Sequence, residues 1–220
     1  MKTTQPYKII VVDDHILLRD ALANLINNFE EFTVLAKAAD GTELLQVIED
    51  GSKPDIVLLD LNMPKMDGYE TTKWLRKYHA EIKIVVLTMY DSEMALIRLL
   101  KSGVNGFLKK DIHPVELRNA LIAVTAGEYY YFNHNTFKIA SLFREEGDNK
   151  SALEKSILTD GEIEFLKLAS TEMPYKEIAL AMNITLRGTD NYRNALFKKL
   201  EVTTRVGLAI YALKNGIVAF

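Results

Sequence analysis

Five polar side chains follow or end short apolar runs in the first half of the chain. Asp13 and Asp14 follow KIIVV, Asp60 follows DIVLL, Thr88 ends KIVVLT, and Lys110 follows GFLK. Clustered carboxylates call for a hard cation, and oxygen ligands favour Mg²⁺. A carboxylate is also a competent nucleophile towards phosphorus. Asp60 could therefore form an acyl phosphate, with Lys110 and Thr88 contacting the phosphate oxygens.

These side chains can meet only if the apolar runs form neighbouring strands. The runs alternate with amphipathic stretches, and this pattern predicts an α/β fold with a doubly wound, five-stranded parallel sheet. Ligands of such sheets bind at the carboxyl ends of the strands, where the polar residues would converge. The predicted strands are 8–12, 33–38, 55–59, 83–88 and 106–109, and the predicted helices lie near 16–28, 41–50, 67–78, 92–102 and 114–127.

A purely structural interpretation remains open for each residue alone. An aspartate after a strand is often a loop or helix-cap residue, and a threonine often ends a strand. The combined pattern is harder to explain in this way, because matching groups follow all of the strands that would border one pocket.

The pattern changes after residue 131. Residues 132–156 are polar and include EEGDNKS, which predicts a linker with one short helical piece near 136–143. From residue 157 the pattern is only helical, with a capping box at Thr159 and Glu162 and a second cap at Thr185. Helical spacing predicts that the last helix has an apolar stripe, and the four short helices suggest a helix-turn-helix. The stripe consists of Val206, Ala209, Ile210 and Leu213.

Length and composition agree with two small domains, predicted at 1–131 and 157–220. The chain has 220 residues, of which 48% are hydrophobic, and it contains no cysteine, which excludes disulfides and thiolate metal sites. No apolar run approaches the roughly 18 residues of a membrane span, and the start does not resemble a secretory signal. We therefore expect a cytoplasmic protein with no membrane partner.

The formal net charge of −3 argues against a globally basic nucleic-acid-binding protein. The charges are unevenly distributed, however, because the segment from Arg187 to Lys199 carries four basic residues and one acidic residue, Asp190. Such a local strip can attract phosphate even where the whole molecule does not.

Residues 7–127 resemble the receiver domain of bacterial two-component response regulators, a flavodoxin-like fold. The matching motifs are VVDDH, LLDLNMPKMDG, VVLTM and GFLKKD. The resemblance implies that Asp60 is the phosphoacceptor and that Thr88, Phe107 and Lys110 respond to the phosphoryl group. It also implies an Mg²⁺ site formed by Asp14, Asp60 and the backbone carbonyl of Asn62, to which Asp13 contributes directly or through water.

Residues 158–218 resemble the LuxR-type helix-turn-helix of NarL/FixJ response regulators. The sequence departs from the family pattern at three places. Asp190 stands where the family often has lysine, Gly188 stands where it usually has threonine, and Pro174-Tyr175 replaces a common Ser-Asn pair. The resemblance implies an inward helix face, an outward face that reads bases, and further contacts to phosphates. The inward residues would be Thr189, Tyr192, Leu196 and Leu200, the outward ones Arg187, Asp190, Asn191, Asn194 and Lys198, and the phosphate contacts Lys176, Arg193, Lys198 and Lys199.

The combined resemblance implies a transcription regulator rather than an enzyme. A sensor histidine kinase would phosphorylate Asp60 with Mg²⁺, and the protein would bind double-stranded DNA as a homodimer on activation, paired through residues 19–28 or 114–126. Three alternatives remain: a helical module that binds protein, a scaffold that works without phosphorylation, and an aspartyl-phosphate hydrolase or transferase. The last would need a DxDx[TV] motif and a cap insertion, and the sequence has neither.

Overall fold

The computed structural model describes residues 5–89, 98–131, 158–215 and 217–218. The chain folds as two compact units. The first unit contains residues 5–89 and 98–131, and the second contains residues 158–215 and 217–218. The predicted linker and the helical piece near 136–143 lie outside the described residues, so the exact domain boundaries stay predictions. Among the described helices, none has both the length and the apolar character needed to cross a membrane.

The first unit contains a parallel sheet whose strand order is β2-β1-β3-β4-β5-β6. This confirms the predicted doubly wound fold. The strands are β1 (Tyr7–Val12), β2 (Phe32–Ala38), β3 (Ile56–Asp60), β4 (Lys83–Thr88), β5 (Gly106–Lys109) and β6 (Tyr130–Tyr131).

The prediction of five strands was wrong by one, because β6 adds a short strand at the sheet edge. Tyr130 pairs with Gly106 and Tyr131 with Phe107, both in the parallel sense. A strand of two residues is too short to show any hydrophobic period. Gly127, with φ of +85°, lies between the preceding helix and this strand.

Helices cover both faces of the sheet. They are α1 (Ile16–Asn27), α2 (Gly41–Glu49), α3 (Gly68–Tyr78) and α4 (Pro114–Thr125), and residues 98–101 are helical as well. The rest of the helix predicted at 92–102 lies largely outside the described residues.

The continuous apolar runs arise because the central strands are buried on both faces: all of β3, the last four residues of β1 and the last five of β4 are buried. In β1, Ile10 and Val12 pack in one cluster with residues of α2 and α3, whereas Ile9 and Val11 pack in a second cluster with residues of α1 and α4. The strand ends are thereby fixed from both sides, which positions the polar residues that follow them.

The second unit consists of α5 (Asp160–Ala169), α6 (Tyr175–Ala181), α7 (Leu186–Lys199) and α8 (Arg205–Lys214). Its core includes Phe165, Leu166, Ile178, Leu196 and Leu208. The predicted caps are confirmed. The side chain of Thr159 accepts a hydrogen bond from the Glu162 N–H within a capping box, and that of Thr185 accepts one from the Gly188 N–H.

The prediction for the apolar face of α8 was wrong. Leu208 and Ala212 are its buried residues, whereas Val206 is 66% and Ile210 47% exposed. Apolar residues lie on more than one side of this helix, so spacing alone could not indicate which side faces the core.

Gly68 permits close contact between the start of α3 and the end of β3. A Cβ atom there would lie 2.3 Å from the backbone oxygen of Asp60. We predict that Gly68→Ala destabilises the first unit by about 1–3 kcal/mol, because this backbone must shift to accept a methyl group. The check is denaturant unfolding, monitored by the fluorescence of Trp74, which is the only tryptophan in the chain.

Gln46→Ala, at an exposed position of α2, provides a matched control that should change stability by less than about 0.5 kcal/mol. Equal unfolding midpoints for both variants would contradict the proposed steric role of Gly68.

Candidate functional site

Three groups from three strand ends meet at the carboxyl edge of the sheet. The Lys110 Nζ lies 2.8 Å from Asp13 Oδ2 and 2.8 Å from Asp60 Oδ2. Asp13 follows β1, Asp60 ends β3 and Lys110 follows β5. The predicted convergence of these residues is therefore present, in a place where their side chains are at most 6% exposed.

Backbone hydrogen bonds fix the residues around this contact. The Lys110 N–H donates to the carbonyl of Thr88, and the Asp13 N–H donates to the carbonyl of Ala38. Asp60 Oδ1 accepts from the Leu61 N–H at 2.7 Å. Each member of the ion-paired group is thus held by its own strand or by a neighbouring one.

The charges of the group determine its protonation. Burial raises the pKa of Asp60 to about 6, although Lys110 acts in the opposite direction. Burial alone would lower the pKa of Lys110, but Asp60 and Asp13 outweigh it and hold that pKa above its usual value. At pH 7 Asp60 is therefore mainly ionised and Lys110 protonated.

Further acidic groups complete a cluster suited to a cation. Ligand atoms of Asp13, Asp14, His15 and Asp60 lie within 4.8 Å of one another. The buried oxygens Asp13 Oδ2 and Asp14 Oδ1 make no hydrogen bond, although each lies 2.8 Å from a side-chain nitrogen, of Lys110 and His15 respectively. Oxygens of this kind are the ligands that Mg²⁺ prefers, so the residues fit such an ion.

The predicted switch residues lie beside the cluster in the sheet. Thr88 is the last residue of β4, and Phe107 lies in β5; both are 1% exposed. Asn62 lies in the loop between β3 and α3, where it is partly exposed.

An ion pair that sequence reasoning missed holds this loop. Lys65 adopts a φ of +60°, a conformation that is unfavourable for a residue other than glycine. Its Nζ lies 2.8 Å from the carboxylate of Asp40, which is 1% exposed, and the carbonyl of Met66 accepts from the Gly41 N–H. The loop that carries Asn62 is therefore tied to the start of α2.

In the second unit, α7 presents polar side chains outward as predicted. Arg187, Asn191, Asn194 and Lys198 are exposed, as is Lys176 in α6. On the inward face Thr189 and Leu196 are buried, while Tyr192 and Leu200 pack at the edge of the core. The Thr189 hydroxyl, at a position where an apolar residue is usual, donates to the Leu186 carbonyl, which satisfies it within the helix.

Three predicted DNA contacts have partners within the protein. Asp190 forms an ion pair with Arg193 at 3.0 Å, and the Arg193 guanidinium also lies 5.4 Å from the centre of the Tyr175 ring. Lys199 Nζ lies 2.9 Å from Glu162 Oε2. Burial would raise the pKa of Glu162, but Lys199 and Thr159 hold it below its usual value. Lys199 thus connects α7 to α5.

An aromatic stack that sequence reasoning also missed positions α7 within the unit. The Phe165 ring is stacked with Tyr175 at 6.2 Å and with Tyr192 at 5.8 Å. Arg205 donates to the carbonyl of Ala169 at the end of α5 and to those of Thr171 and Met173 in the following loop, and it lies 5.2 Å from the Tyr175 ring centre. The unusual Tyr175 is therefore part of the support for α7.

Comparison with known proteins agrees with this arrangement. Residues 9–122 match the response regulator receiver domain family, and residues 156–212 match the family of bacterial regulatory proteins of the luxR type. The chain is 33% identical to the nitrate/nitrite response regulator protein NarL of Escherichia coli, with 99% of this chain and all of that protein covered. This chain belongs to the NarL/FixJ class of response regulators.

A second relative and a solved structure extend the comparison. The oxygen regulatory protein NreC of Staphylococcus epidermidis is 30% identical over 97% of this chain and 100% of its own length. The structure of RcsB from Salmonella enterica, bound to promoter rprA in the presence of phosphomimetic BeF₃⁻, matches with a TM-score of 0.68 and 20% identity, covering 94% of this chain and 98% of that one. At this identity the RcsB likeness confirms the fold of the response regulator.

The raised pKa of Asp60 leads to a prediction about stability. Folding strengthens proton binding at Asp60, so ionising this group costs stability as pH rises from 3.8 to about 6. We predict that Asp60→Asn, in the presence of EDTA, stabilises the receiver domain at pH 7 by up to about 3 kcal/mol, and that this difference shrinks as pH falls through that window. Trp74 fluorescence during urea unfolding at several pH values provides the measurement.

Asp55→Asn serves as the control, because the Asp55 carboxylate is exposed and accepts a hydrogen bond from the Lys8 N–H. An Asp60→Asn variant that is less stable than the wild type at pH 7, or that gives a pH-independent difference, would contradict the assigned effect of burial.

Proposed function

We propose that a sensor histidine kinase phosphorylates Asp60 and that this modification controls binding of α7 to double-stranded DNA, and hence transcription. The observation that carries the proposal is the buried contact of Lys110 with Asp60 and Asp13 at the carboxyl edge of the sheet. The arrangement combines a nucleophilic carboxylate with a cation positioned for the incoming charge. The cytoplasm is the location this function requires, since the kinase domain and the DNA lie there.

The transfer uses Asp60 as the nucleophile. With its pKa of about 6, the carboxylate is mainly ionised at pH 7 and can attack the phosphorus of a phosphohistidine. An O–P bond forms, the N–P bond breaks, and the bonding electrons return to the imidazole of the kinase. Lys110 then exchanges its contact with Asp60 for a contact with a phosphate oxygen, which keeps the ammonium paired.

Mg²⁺ is the proposed cofactor of this reaction. Asp13, Asp14 and Asp60 would hold it, together with the backbone carbonyl of Asn62. When bound, the ion offsets the negative charge of the carboxylates and the phosphoryl group. The ion pair between Lys65 and Asp40 supports this role for Asn62, because it fixes the loop in which Asn62 lies.

The phosphoryl group adds a charge of roughly −2 to the pocket, which favours inward movement of Thr88 and Lys110. Phe107 lies on the neighbouring strand in tight packing, so a shift of Thr88 requires Phe107 to adjust. We propose that this repacking changes the receiver surface and promotes a homodimer through residues 19–28 or 114–126. A dimer would place two copies of α7 on paired half-sites.

Readout of DNA is proposed for the exposed face of α7. Asn191 and Asn194 carry amides that can pair with adenine, and Asp190 can accept from cytosine. Arg187, Lys176 and Lys198 are exposed and can contact phosphates, as could Arg193 and Lys199 if they release their partners. Lys198 is the basic residue at the end of α7 that we expect to contribute most to general affinity.

The phosphoacceptor assignment predicts the behaviour of a single variant. Acetyl phosphate with Mg²⁺ should label the wild-type protein, and Asp60→Asn should abolish labelling because the nucleophile is lost. Mass spectrometry and a phosphate-affinity gel detect the product. Asp55→Asn is the matched control and should be labelled normally, and EDTA should prevent labelling. Persistent labelling of Asp60→Asn would contradict the assignment.

The DNA assignment predicts different effects for an amide and a lysine. Asn194→Ala should relax discrimination at one base pair by ~1–3 kcal/mol, because an amide that reads a base edge is lost. Lys198→Ala should weaken binding to all DNA sequences alike. It should also lower the slope of log affinity against log salt concentration by about one. The measurement is a binding titration of the phosphorylated protein against a selected site and its single-base variants at several salt concentrations.

The reverse pattern, with base preference altered by Lys198→Ala and uniform weakening by Asn194→Ala, would show that α7 docks differently. Lys199→Ala is a useful comparison because its ion pair with Glu162 supports the fold. Its thermal unfolding must be measured alongside its DNA affinity.

A further inference from the structure

His15 directs a nitrogen ligand into the acidic cluster of the receiver domain. Its Nδ1 lies 2.8 Å from Asp14 Oδ1 and 3.2 Å from Asp13 Oδ1, although the side chain as a whole is 68% exposed. The Lys110 ammonium contacts the other carboxylate oxygen of Asp13, Oδ2. The imidazole and the ammonium therefore approach Asp13 at different atoms.

The side chain of His15 is not needed to begin α1. His15 is the N-cap residue of this helix, but its side chain makes no capping hydrogen bond. The backbone of His15 provides the local contacts instead, since its N–H donates to Asp13 Oδ1 and its carbonyl accepts from the Arg19 N–H. Replacing the imidazole should therefore leave the helix start intact.

We infer that the pocket binds a first-row transition-metal dication, of the class of Co²⁺, with His15 Nδ1 as a ligand beside the aspartates. Mg²⁺ prefers an all-oxygen environment, whereas imidazole nitrogen suits Co²⁺, Ni²⁺ and Zn²⁺. The ligand atoms of all these residues already lie within 4.8 Å of one another. The inference rests on the proposed function, because it concerns the metal class of the same pocket.

Nδ1 can donate to a carboxylate only while it carries the ring hydrogen, so metal binding through Nδ1 requires the other neutral tautomer, with that hydrogen on Nε2. The hydrogen occupies one ring nitrogen and the lone pair the other, so Nδ1 is available to a metal when Nε2 carries the hydrogen. The high exposure of the ring allows water to accept the Nε2–H. A bound metal would then replace the close contact of Nδ1 with Asp14 Oδ1.

The test is a comparison of Co²⁺ and Mg²⁺ binding by the full chain. Calorimetry gives both affinities, and the visible absorption of bound Co²⁺ reports its ligands. His15→Ala should lower Co²⁺ affinity by about tenfold or more, because a ligand is lost. The same change should alter Mg²⁺ affinity by less than about twofold. The Co²⁺ spectrum should shift as the nitrogen ligand disappears.

Two further variants make the result specific. His79→Ala replaces a histidine at the C-terminus of α3 and should leave both affinities and the spectrum unchanged. His15→Gln keeps a polar side chain at the N-cap, and it should resemble His15→Ala in Co²⁺ affinity. Unfolding is monitored by Trp74 fluorescence, and a midpoint equal to that of the wild type verifies that each variant folds.

Unchanged Co²⁺ affinity in the folded His15 variants would overturn the inference, and so would a parallel loss of Co²⁺ and Mg²⁺ affinity. Failure of the proposed function is recognised separately, as absence of Mg²⁺-dependent labelling at Asp60 in the wild-type protein.

Discussion

The contact of Lys110 with Asp13 and Asp60 is the interaction on which the receiver pocket depends. Two carboxylates in a place that is nearly closed to solvent would repel each other, and the ammonium 2.8 Å from each offsets that repulsion. The compensation is incomplete, because burial still holds the pKa of Asp60 near 6. The pocket is therefore stable enough to fold and still favours additional positive charge. The same imbalance supports the proposed binding of a divalent cation there.

Much of this pocket could be predicted from sequence because parallel-sheet topology determines it. Once KIIVV, DIVLL, KIVVLT and GFLK are strands, right-handed connections must bring Asp13, Asp60, Thr88 and Lys110 to one edge. The capping residues of the second unit were equally predictable, since Thr159 and Glu162 act within one helical turn. These features depend on spacing along the chain or on the order of strands, and both are visible in the sequence.

The features that escaped prediction depend on side chains that meet across elements. Asp40 and Lys65 are far apart in sequence, and the ion pair of Glu162 with Lys199 requires the angle between two helices. Apolar residues on several sides of α8 concealed which face is buried, so the stripe through Val206 was misassigned. His15 is a different case. It adjoins the acidic pair in sequence, and only the direction of its ring shows that it belongs to the cluster.

In the proposed function, charge placed on Asp60 controls the DNA-binding unit. The most direct measurement is the affinity of the full chain for a selected DNA site, determined with and without acetyl phosphate and Mg²⁺, for the wild type and for Asp60→Asn. We expect the phosphodonor to change the affinity of the wild type and to leave that of Asp60→Asn unchanged. Equal affinity of the wild type before and after complete phosphorylation, or an equal change in Asp60→Asn, would contradict it.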